Sequence, residues 1–329
     1  MRILTIGGTR FIGARIVAAL LGRGDEVTVV HRGSTEPPAG GGAAHIHADR
    51  ADFRDIAARV RELRPDALID TCAASRADAD AVLPYLPDTQ LVLLSSMDVY
   101  RAYELLLSDA GGQPVPLTEE AEVRRGRYPL RGSMDGHDDY DKLDVEPGYL
   151  ARGGTVLRLA AIYGEHDPQR REEFILRRVR AGRKRIPMGP GTFLWTRGYV
   201  GDVARAVLAA LDRPAAAAGQ VFNIGDPVTD TVRDHAQRIL GAAGHEAELV
   251  TVAERDLPAD MRLTKSIAQH FLGDCGKAVR VLGWRPEDPA AAISRSVRWH
   301  LAHPPEDPDP DFSPDDRSLA EHDRALPEH

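Results

Sequence analysis

Short apolar runs alternate with longer amphipathic stretches through the first half of the chain. In the amphipathic stretches, apolar residues recur at helical spacing over residues 13–21, 54–63 and 77–86. The runs are apolar without strict alternation, which is typical of strands buried on both faces. They predict five strands, at residues 2–6, 26–30, 43–47, 67–70 and 91–95. This alternation of strand and helix indicates an α/β fold with a parallel, doubly wound sheet.

Two later apolar runs, at residues 155–160 and 221–224, extend the predicted sheet to seven mostly parallel strands. Further helices are predicted at residues 141–149, 171–181, 202–211 and 232–243. The segment 165–196, and much of the chain beyond Pro227, is denser in Arg, Gly and Pro. We interpret these stretches as a small C-terminal lobe that covers a substrate, rather than as more sheet.

The predicted organisation therefore has three parts. Residues 1–164 form a nucleotide-binding domain with a returning strand near 221–224, and residues 165–303 form a substrate-binding lobe. Residues 304–329 form a tail that contains six prolines and nine acidic residues against two arginines. That composition predicts a solvated and mobile terminus, and binding of a partner is the alternative.

The composition excludes several classes of protein. The chain has 329 residues, a net charge of −8 and 43% hydrophobic residues, which rules out global disorder and argues against a dedicated nucleic-acid binder. It contains no run of about 18 apolar residues, so no membrane-spanning helix is expected. Cys72 and Cys275 are too few for a disulfide framework or a zinc site. Because Met1 leads directly into an apolar strand without a signal leader, a cytoplasmic protein is expected.

The strongest chemical signal is a glycine-rich turn, GGTRFIG at residues 7–13, between the first strand and the first helix. The first glycine allows a tight turn, and the last allows the helix to pack closely on the sheet. The helix N-terminus then offers N–H groups and a positive dipole end to a pyrophosphate. The turn therefore predicts a dinucleotide site with contacts at Gly7, Thr9, Arg10, Phe11, Ile12 and Gly13.

Two arginines bear on the choice of dinucleotide. Arg10 replaces the middle glycine of the common spacing, and its guanidinium is expected near the pyrophosphate. After the second strand, the acid that would bind a ribose 2′-hydroxyl is absent, and Arg32 follows His31 instead. A guanidinium there suits a 2′-phosphate, although a solvated arginine without a selective role is the alternative. The sequence favours NADP over NAD, with His31 and Arg32 as contacts.

Five further motifs occur in order along the chain. They are HADR at 47–50, LLSSMDVY at 93–100, LRLAAIYG at 157–164, FNIG at 222–225 and LGWRP at 282–286. With the glycine turn, they resemble the extended short-chain dehydrogenases/reductases, and more narrowly an atypical branch of the NAD(P)-dependent epimerase/dehydratase group. The resemblance covers about residues 1–300. It implies a Rossmann-type fold and hydride transfer at a carbonyl or alcohol of a nucleotide sugar or a similar polar metabolite.

The resemblance also implies roles for particular residues. Ser96 matches the position that polarises the substrate oxygen, and Asp98 lies where the sugar dehydratases of the family carry an acid, which makes it a substrate contact. Cofactor contacts are implied at Asp49, Arg50, Ala73, Lys142 and Ile162. Epimerisation, dehydration and reduction all begin with one hydride transfer, so the reaction subtype stays open. Family members commonly form homodimers, and the sequence leaves the oligomeric state open.

The catalytic tyrosine and lysine of the family do not have their usual spacing here. The family places the tyrosine one helical turn before a lysine that lowers the tyrosine pKa. One turn before Lys142 stands Asp138, and Tyr140 is only two residues away, about 200° round a helix. If Tyr140 precedes the first regular turn, it reaches the site and Ser96, Tyr140 and Lys142 are catalytic. Otherwise Lys142 keeps a ribose role, and the acid/base is Asp98, Tyr100 or none.

The second half of the chain offers weaker signals. Arg197 lies in a segment that resembles the substrate-binding arginine motif, but five rather than seven residues before Asp202. A cluster of basic residues at 170–185 suits an anionic substrate, and a solvated helix face is the alternative. The twelve histidines show no metal-binding spacing, so no metal is expected. A second hypothesis is a nucleotide-binding protein that has lost catalysis and acts as a scaffold, regulator or RNA-associated factor.

Overall fold

The computed structural model of the protein describes residues 1–35, 42–306 and 311–325. Its strands are β1 (Arg2–Ile6), β2 (Glu26–His31), β3 (Ala44–His47), β4 (Ala67–Asp70), β5 (Gln90–Ser96), β6 (Thr155–Leu159), β7 (Ala161–Tyr163), β8 (Arg185–Met188), β9 (Arg197–Tyr199), β10 (Val221–Ile224) and β11 (Glu248–Thr251). Its α-helices are α1 (Phe11–Arg23), α2 (Phe53–Leu63), α3 (Arg76–Val82), α4 (Arg101–Leu107), α5 (Lys142–Leu150), α6 (Glu173–Arg180), α7 (Val200–Asp212), α8 (Pro214–Ala217), α9 (Val232–Ala242), α10 (Gly276–Leu282), α11 (Pro289–Ala302) and α12 (Ser313–Ala325).

Seven strands form the central sheet, in the order β10-β6-β5-β4-β1-β2-β3. Every ladder in this sheet is parallel, so the predicted doubly wound fold is confirmed. All seven predicted strands occur within one residue of their expected ends. The strand order reverses between β1 and β4, and ligands of such sheets bind in the crevice outside the carboxyl ends of strands at that point.

Helices cover both faces of the sheet, which explains the continuous apolar runs in the sequence. Strands β4 and β6 are buried along their whole length. One apolar layer contains Leu20 of α1 and Val203 of α7, and the opposite layer contains Val60 of α2 and Tyr149 of α5. Because the strands between these layers are parallel, the carboxyl ends of β1, β4, β5 and β6 lie along one edge of the sheet.

The second half of the chain contains two small parallel sheets, β7 with β9 and β8 with β11. The expectation of a lobe without further sheet is therefore wrong. Strands β8, β9 and β11 contain polar, proline or glycine residues, such as Arg185 and Pro187 in β8 and Gly198 in β9, so no apolar run reveals them in the sequence. Strand β7 directly follows β6 and carries the chain from the central sheet into this half.

Helix α12 lies inside the predicted tail and packs on β8. Asp315 is buried and accepts two hydrogen bonds of 2.7 Å from Arg178, whose side chain is also buried. The expectation of a mobile terminus is therefore wrong for residues 313–325, because their acidic side chains bind arginines of the main body. Residues 307–310 and 326–329 of the predicted tail lie outside the described residues.

Candidate functional site

The turn after β1 leaves space only for backbone. Gly7 has a φ of +77°, and a Cβ there would meet Thr71 Oγ1 at 2.4 Å. A Cβ on Gly13 would meet Gly8 Cα at 2.7 Å, so the close approach at Gly13 is to the turn itself. The N-cap residue Arg10 makes no side-chain cap, which leaves the first N–H groups of α1 to a ligand. This cradle fits the pyrophosphate of a dinucleotide.

Arg10 is directed toward the segment that follows β2. Its Nε donates a hydrogen bond of 3.0 Å to Thr35 Oγ1. Arg32 is exposed on the same segment. The guanidinium groups of Arg10 and Arg32 therefore both lie near the segment that follows β2. In Rossmann folds, the adenosine ribose is selected on this side of the sheet.

His31 and Asp49, two predicted cofactor contacts, have protein partners. His31 is buried, its Nε2 lies 2.9 Å from His45 Nδ1, and its Nδ1 accepts the Gly33 N–H at 3.2 Å. Asp49 is exposed and caps a short 3₁₀ turn through the Ala51 N–H at 2.9 Å. The structure therefore gives both side chains a role in shaping the edge at β2 and β3.

Asp70, at the end of β4, holds the next turn of the edge. One of its carboxylate oxygens accepts hydrogen bonds from Arg50 and from the Tyr149 hydroxyl. The other accepts the N–H groups of Cys72 at 3.1 Å and Ala73 at 3.0 Å. Arg50, a predicted cofactor contact, is thus committed to a buried carboxylate. Sequence reasoning missed Asp70, which reads as an ordinary strand end.

A cavity of about 250 Å³ lies at the carboxyl ends of β5 and β6. Ser96, Tyr140 and Lys142 line one side of it, and Ile162 of β7 lines another. Phe11 and Ile12 of the glycine turn also reach it. The structure thus brings the three predicted catalytic residues and part of the dinucleotide cradle around one space.

Tyr140 enters this cavity from outside a helix. Helix α5 begins at Lys142 and is capped by Asp141, whose side chain accepts the Leu143 N–H at 3.0 Å. Because Tyr140 precedes the cap, the angle between helical residues does not set its direction. Its hydroxyl donates a hydrogen bond of 2.6 Å to Asp98 Oδ2. Of the two alternatives in the sequence, the structure has the one in which Tyr140 shares a cavity with Ser96 and Lys142.

Lys142 is buried beneath the same cavity. Its Nζ donates hydrogen bonds to the carbonyl oxygens of Ala73 and Leu94, the latter at 3.0 Å. The ammonium lies 5.9 Å from the centre of the Tyr140 ring. Lys142 therefore joins the ends of β4 and β5 and brings a positive charge close to Tyr140.

The acid–base groups of the site are shifted toward their neutral forms. Burial raises the pKa of Tyr140 well above its usual value, and the neighbouring Asp98 raises it further. Burial also raises the pKa of Asp98 and lowers the pKa of Lys142. The Tyr140 hydroxyl is consequently protonated at neutral pH.

Arg124 binds both Asp98 and Asp141, the residue that follows Tyr140. Its Nη2 lies 2.5 Å from Asp141 Oδ1, and its Nε donates to the backbone oxygen of Asp98 at 3.0 Å. Burial by itself raises the pKa of Asp141, but hydrogen bonds from Arg124 and Arg127 outweigh it and lower the pKa to about 2. Arg124 is 3% exposed, and sequence reasoning missed it because nothing in the run RRGR at 124–127 distinguishes the buried arginine from its neighbours.

The loop after β7 closes the cavity on the lobe side. Arg171 Nη1 donates to the Ile162 carbonyl at 2.7 Å and pairs with Asp167 at 3.1 Å. Both side chains line the cavity. The sequence places Arg171 in the basic cluster at 170–185. In the structure, Arg171 is the arginine of that cluster that lines this cavity.

The other arginines of the predicted basic cluster are paired with carboxylates. Arg178 contacts Asp260 and Asp315, and Arg177 contacts Asp260. Arg180 pairs with Glu173, Arg183 with Asp316 and Arg185 with Asp323. Three of them, Arg178, Arg183 and Arg185, attach helix α12 to the body of the protein. The charge of these paired arginines is therefore not evidence for an anionic substrate.

Arg197 lies in β9, which pairs with β7. It is 9% exposed, its Nη1 donates to the Trp195 carbonyl at 3.1 Å, and its guanidinium lies 5.5 Å from the centre of the Trp195 indole. Burial lowers the pKa of Arg197 to about 10. Trp195 stands seven residues before Asp202, where the substrate-binding pattern has its arginine. The role of Arg197 in substrate binding stays a prediction.

Within residues 1–35, 42–306 and 311–325, no three His, Cys, Asp or Glu side chains form a group suited to a metal ion. In the same ranges, none of the helices combines the length and apolar character needed to cross a bilayer.

The family model of the NAD dependent epimerase/dehydratase family matches residues 3–85 and 149–225. The chain belongs to this family. The matched ranges contain the glycine turn and β6, while β5 lies between them. In this family member, Ser96, Asp98, Tyr140 and Lys142 lie between the two matched ranges, where the usual tyrosine–lysine spacing is broken.

Curated relatives of this family member differ in what their names describe. The chain is 27% identical, over 97% of its length and 84% of the relative, to the chloroplast stem-loop binding protein of 41 kDa b from Arabidopsis thaliana. It is 24% identical to a UDP-glucose 4-epimerase from Streptomyces lividans, over 92% of this chain and 96% of that protein. The names of these two relatives therefore describe different functions.

Solved structures of the family have the same fold. A dTDP-glucose 4,6-dehydratase from Bacillus anthracis, solved in complex with NAD, superposes with a TM-score of 0.68 at 16% identity, covering 92% of this chain and 97% of that one. A UDP-glucose 4-epimerase from Thermotoga maritima, solved with UDP-glucose, gives 0.66 at 21% identity, covering 92% and 99%. These likenesses concern the fold.

Proposed function

We propose that the protein is an NADP-preferring oxidoreductase that moves a hydride between the cofactor and a carbonyl or alcohol carbon of a nucleotide sugar or a similar polar metabolite. The observation that carries this proposal is the single cavity shared by Ser96, Tyr140, Lys142 and the glycine turn. The names of the UDP-glucose 4-epimerase and dTDP-glucose 4,6-dehydratase support the substrate class. Residues 1–164 with β10 would bind the dinucleotide, residues 165–303 would cover the substrate, and the location would be cytoplasmic.

Each side chain of the cavity has a separate task in this reaction. The dinucleotide, when bound, supplies or accepts the hydride. The N–H groups at the start of α1 would hold its pyrophosphate, and Lys142 would hold the nicotinamide ribose. Ser96 Oγ polarises the substrate oxygen, and the Tyr140 hydroxyl exchanges a proton with that oxygen. The loop from Asp167 to Arg171 limits the access of water.

The choice of cofactor is tested by titrating the protein with NADPH and NADH and following cofactor fluorescence. We expect tighter binding of NADPH, because Arg32 and Arg10 both bear on the end of β2. Losing one charge-assisted contact to a 2′-phosphate costs about 1.5–3 kcal/mol, so Arg32→Ala should weaken NADPH binding roughly ten- to a hundredfold and leave NADH binding almost unchanged. Arg59→Ala, an exposed arginine on α2, is the control. Equal affinity of the wild type for both cofactors would refute the preference.

The substrate class is tested by incubating the protein and cofactor with UDP-glucose, UDP-galactose and dTDP-glucose. Nuclear magnetic resonance of the sugars then separates an inverted C4 centre from loss of water or reduction. Turnover of one sugar nucleotide that Tyr140→Phe lowers by about 10²–10⁴-fold would support the proposal. Absence of turnover for all three, with intact cofactor binding, would direct the search to other polar carbonyl compounds.

A second candidate function follows from one observation, the 27% identity to a stem-loop binding protein. In that case the protein would bind RNA and the cavity would be a remnant. The net charge of −8 opposes this function, because nucleic-acid binding surfaces are basic. A gel-shift titration with a structured RNA hairpin at two salt concentrations separates the candidates: specific, salt-sensitive binding would favour the RNA function.

A further inference from the structure

Asp98 is the partner of Tyr140 in the cavity, and half of its carboxylate is unused. Oδ2 accepts the Tyr140 hydroxyl at 2.6 Å. Oδ1 is buried and has no hydrogen-bond partner among the described residues. A buried acceptor without a partner is costly unless a proton or a ligand satisfies it. Oδ1 is therefore where Asp98 carries a proton or meets a substrate group.

Charged and polar groups from several elements surround this pair. The groups that face it are Arg124 from the segment before α5, Lys142 and Asp141 from the start of α5, Tyr103 from α4 and Ser96 from the end of β5. Burial raises the pKa of Asp98, and the Tyr140 hydroxyl, Arg124 and Lys142 partly oppose that rise. Two acidic groups in direct contact titrate as a coupled pair.

We propose that Asp98 is the terminal acid and base of the site and that it exchanges a proton with the substrate through the Tyr140 hydroxyl. The idea rests on the hydride-transfer function proposed above. It replaces a lysine-stabilised phenolate with a carboxyl–phenol pair, which fits a chain in which Lys142 Nζ is bound to the carbonyl oxygens of Ala73 and Leu94.

The proton transfers balance in both directions. In reduction, the bound dinucleotide would supply the hydride to the substrate carbon, and the substrate oxygen takes the proton of Tyr140. The Tyr140 oxygen then takes the proton on Asp98, and the resulting carboxylate regains a proton from water. In oxidation, Asp98 begins as a carboxylate and accepts the Tyr140 proton, and Tyr140 accepts the proton of the substrate alcohol. The hydride of the substrate carbon would then pass to the oxidised dinucleotide.

The first test measures the pair without any substrate. Carbon-13 nuclear magnetic resonance of protein labelled at aspartate carboxyls follows the titration of Asp98, which is assigned by the signal missing in Asp98→Asn. Tyr140→Phe removes the hydroxyl that stabilises the carboxylate, so the midpoint of the Asp98 titration should rise by about one to two pH units. Asp139→Asn, an exposed neighbour that pairs with Arg131, should leave it unchanged.

The second test asks whether the two residues act as one unit in turnover. With UDP-galactose as the probe, Asp98→Asn and Tyr140→Phe should each lower turnover by about 10²–10⁴-fold, and the double variant should be no slower than the worse single one. Additive losses, or near wild-type turnover of Asp98→Asn, would overturn the proposal. So would an Asp98 titration that Tyr140→Phe does not move. If UDP-galactose is not turned over, the substrate assignment fails, and the carboxyl titration alone decides the pair.

Discussion

At the scale of single residues, Glu172 is a buried carboxyl group that has almost no positively charged partner. Its Oε1 accepts the Ser296 hydroxyl at 2.6 Å, and Oε2 lies 3.8 Å from His300 Nε2. Burial raises the pKa of Glu172 to about 7, and burial lowers the pKa of His300. Near neutral pH the folded protein therefore favours the protonated carboxyl and the uncharged imidazole.

This burial predicts a stability that falls as the pH rises. Between the ordinary pKa of a glutamate and about 7, the unfolded chain has lost the Glu172 proton and the folded chain still holds it, so the free energy of unfolding decreases with pH. Glu172→Gln removes this dependence, so between pH 5 and pH 8 the variant should lose about 2–3 kcal/mol less stability than the wild type. Urea unfolding at both pH values measures it, with Glu173→Gln as the control. Identical slopes for wild type and Glu172→Gln would contradict the argument.

The same scale shows where the sequence stops being informative about the site. The GGTRFIG turn follows from strand–turn–helix order, which is local, and Ser96 follows from the resemblance of LLSSMDVY to the family motif, so both could be located from the sequence. The contact of Tyr140 with Asp98 could not, because the two residues are 42 positions apart in the chain. Asp138 fits the family spacing but is not the residue in the cavity, because regular spacing holds only inside a helix.

At the scale of elements, the start of α5 is positioned by an ion pair rather than by helix propensity. Arg124→Met should destabilise the protein by about 3–5 kcal/mol, since it leaves the buried Asp141 with only the half-exposed Arg127. Arg124→Lys keeps the charge but loses the fork that also binds the Asp98 carbonyl. We expect the lysine variant to fold and to shift the Asp98 titration, which a purely structural role would not do. Arg131→Met, on the exposed side of the same loop, should change neither measurement.

Gly7 in the turn before helix α1 and Gly22 inside that helix offer a matched pair of glycines for testing the dinucleotide cradle. Gly7→Ala places a methyl group against Thr71 at a φ of +77°, so it should destabilise the protein and weaken NADPH binding at least tenfold. Gly22→Ala, inside α1 with open space around it, should instead stabilise the protein by about 0.5–1 kcal/mol and leave binding unchanged. Thermal unfolding and cofactor fluorescence check both. Undiminished NADPH binding by Gly7→Ala would show that the cradle is not where the cofactor binds.

At the scale of the whole molecule, α12 is tied to the body by one buried arginine. Asp315→Asn leaves Arg178 with Asp260 alone, and we expect a loss of about 2–3 kcal/mol of stability. Asp316→Asn, whose carboxylate is 61% exposed, should cost less than about 1 kcal/mol. Urea unfolding of the two variants compares them directly, and equal losses would mean that burial of the pair is unimportant.

The central sheet could be predicted from the sequence more fully than the second half of the chain. The central sheet could be predicted because each strand is a continuous apolar run between amphipathic helices, a pattern that survives without knowledge of partners. The short strands β8 and β11 and the docking of α12 could not, because they depend on pairs such as Arg185 with Asp323 that are 138 residues apart. An acidic, proline-rich composition predicts a solvated segment only when the rest of the chain offers no arginine-rich surface to which that segment can bind.

The Arg178–Asp315 pair also has a consequence for how the protein is made. The two residues are 137 positions apart, so a ribosome delivers Arg178 long before its carboxylate partner. At about 5–20 residues per second, the nascent chain carries this arginine without Asp315 for roughly 7–27 seconds. The central sheet from β1 to β6 is complete by residue 159 and can assemble in that time, whereas α6 cannot bury Arg178 with both of its acids. Synthesis therefore imposes an order in which the sheet forms first and the packing around α6 is finished by the last helix.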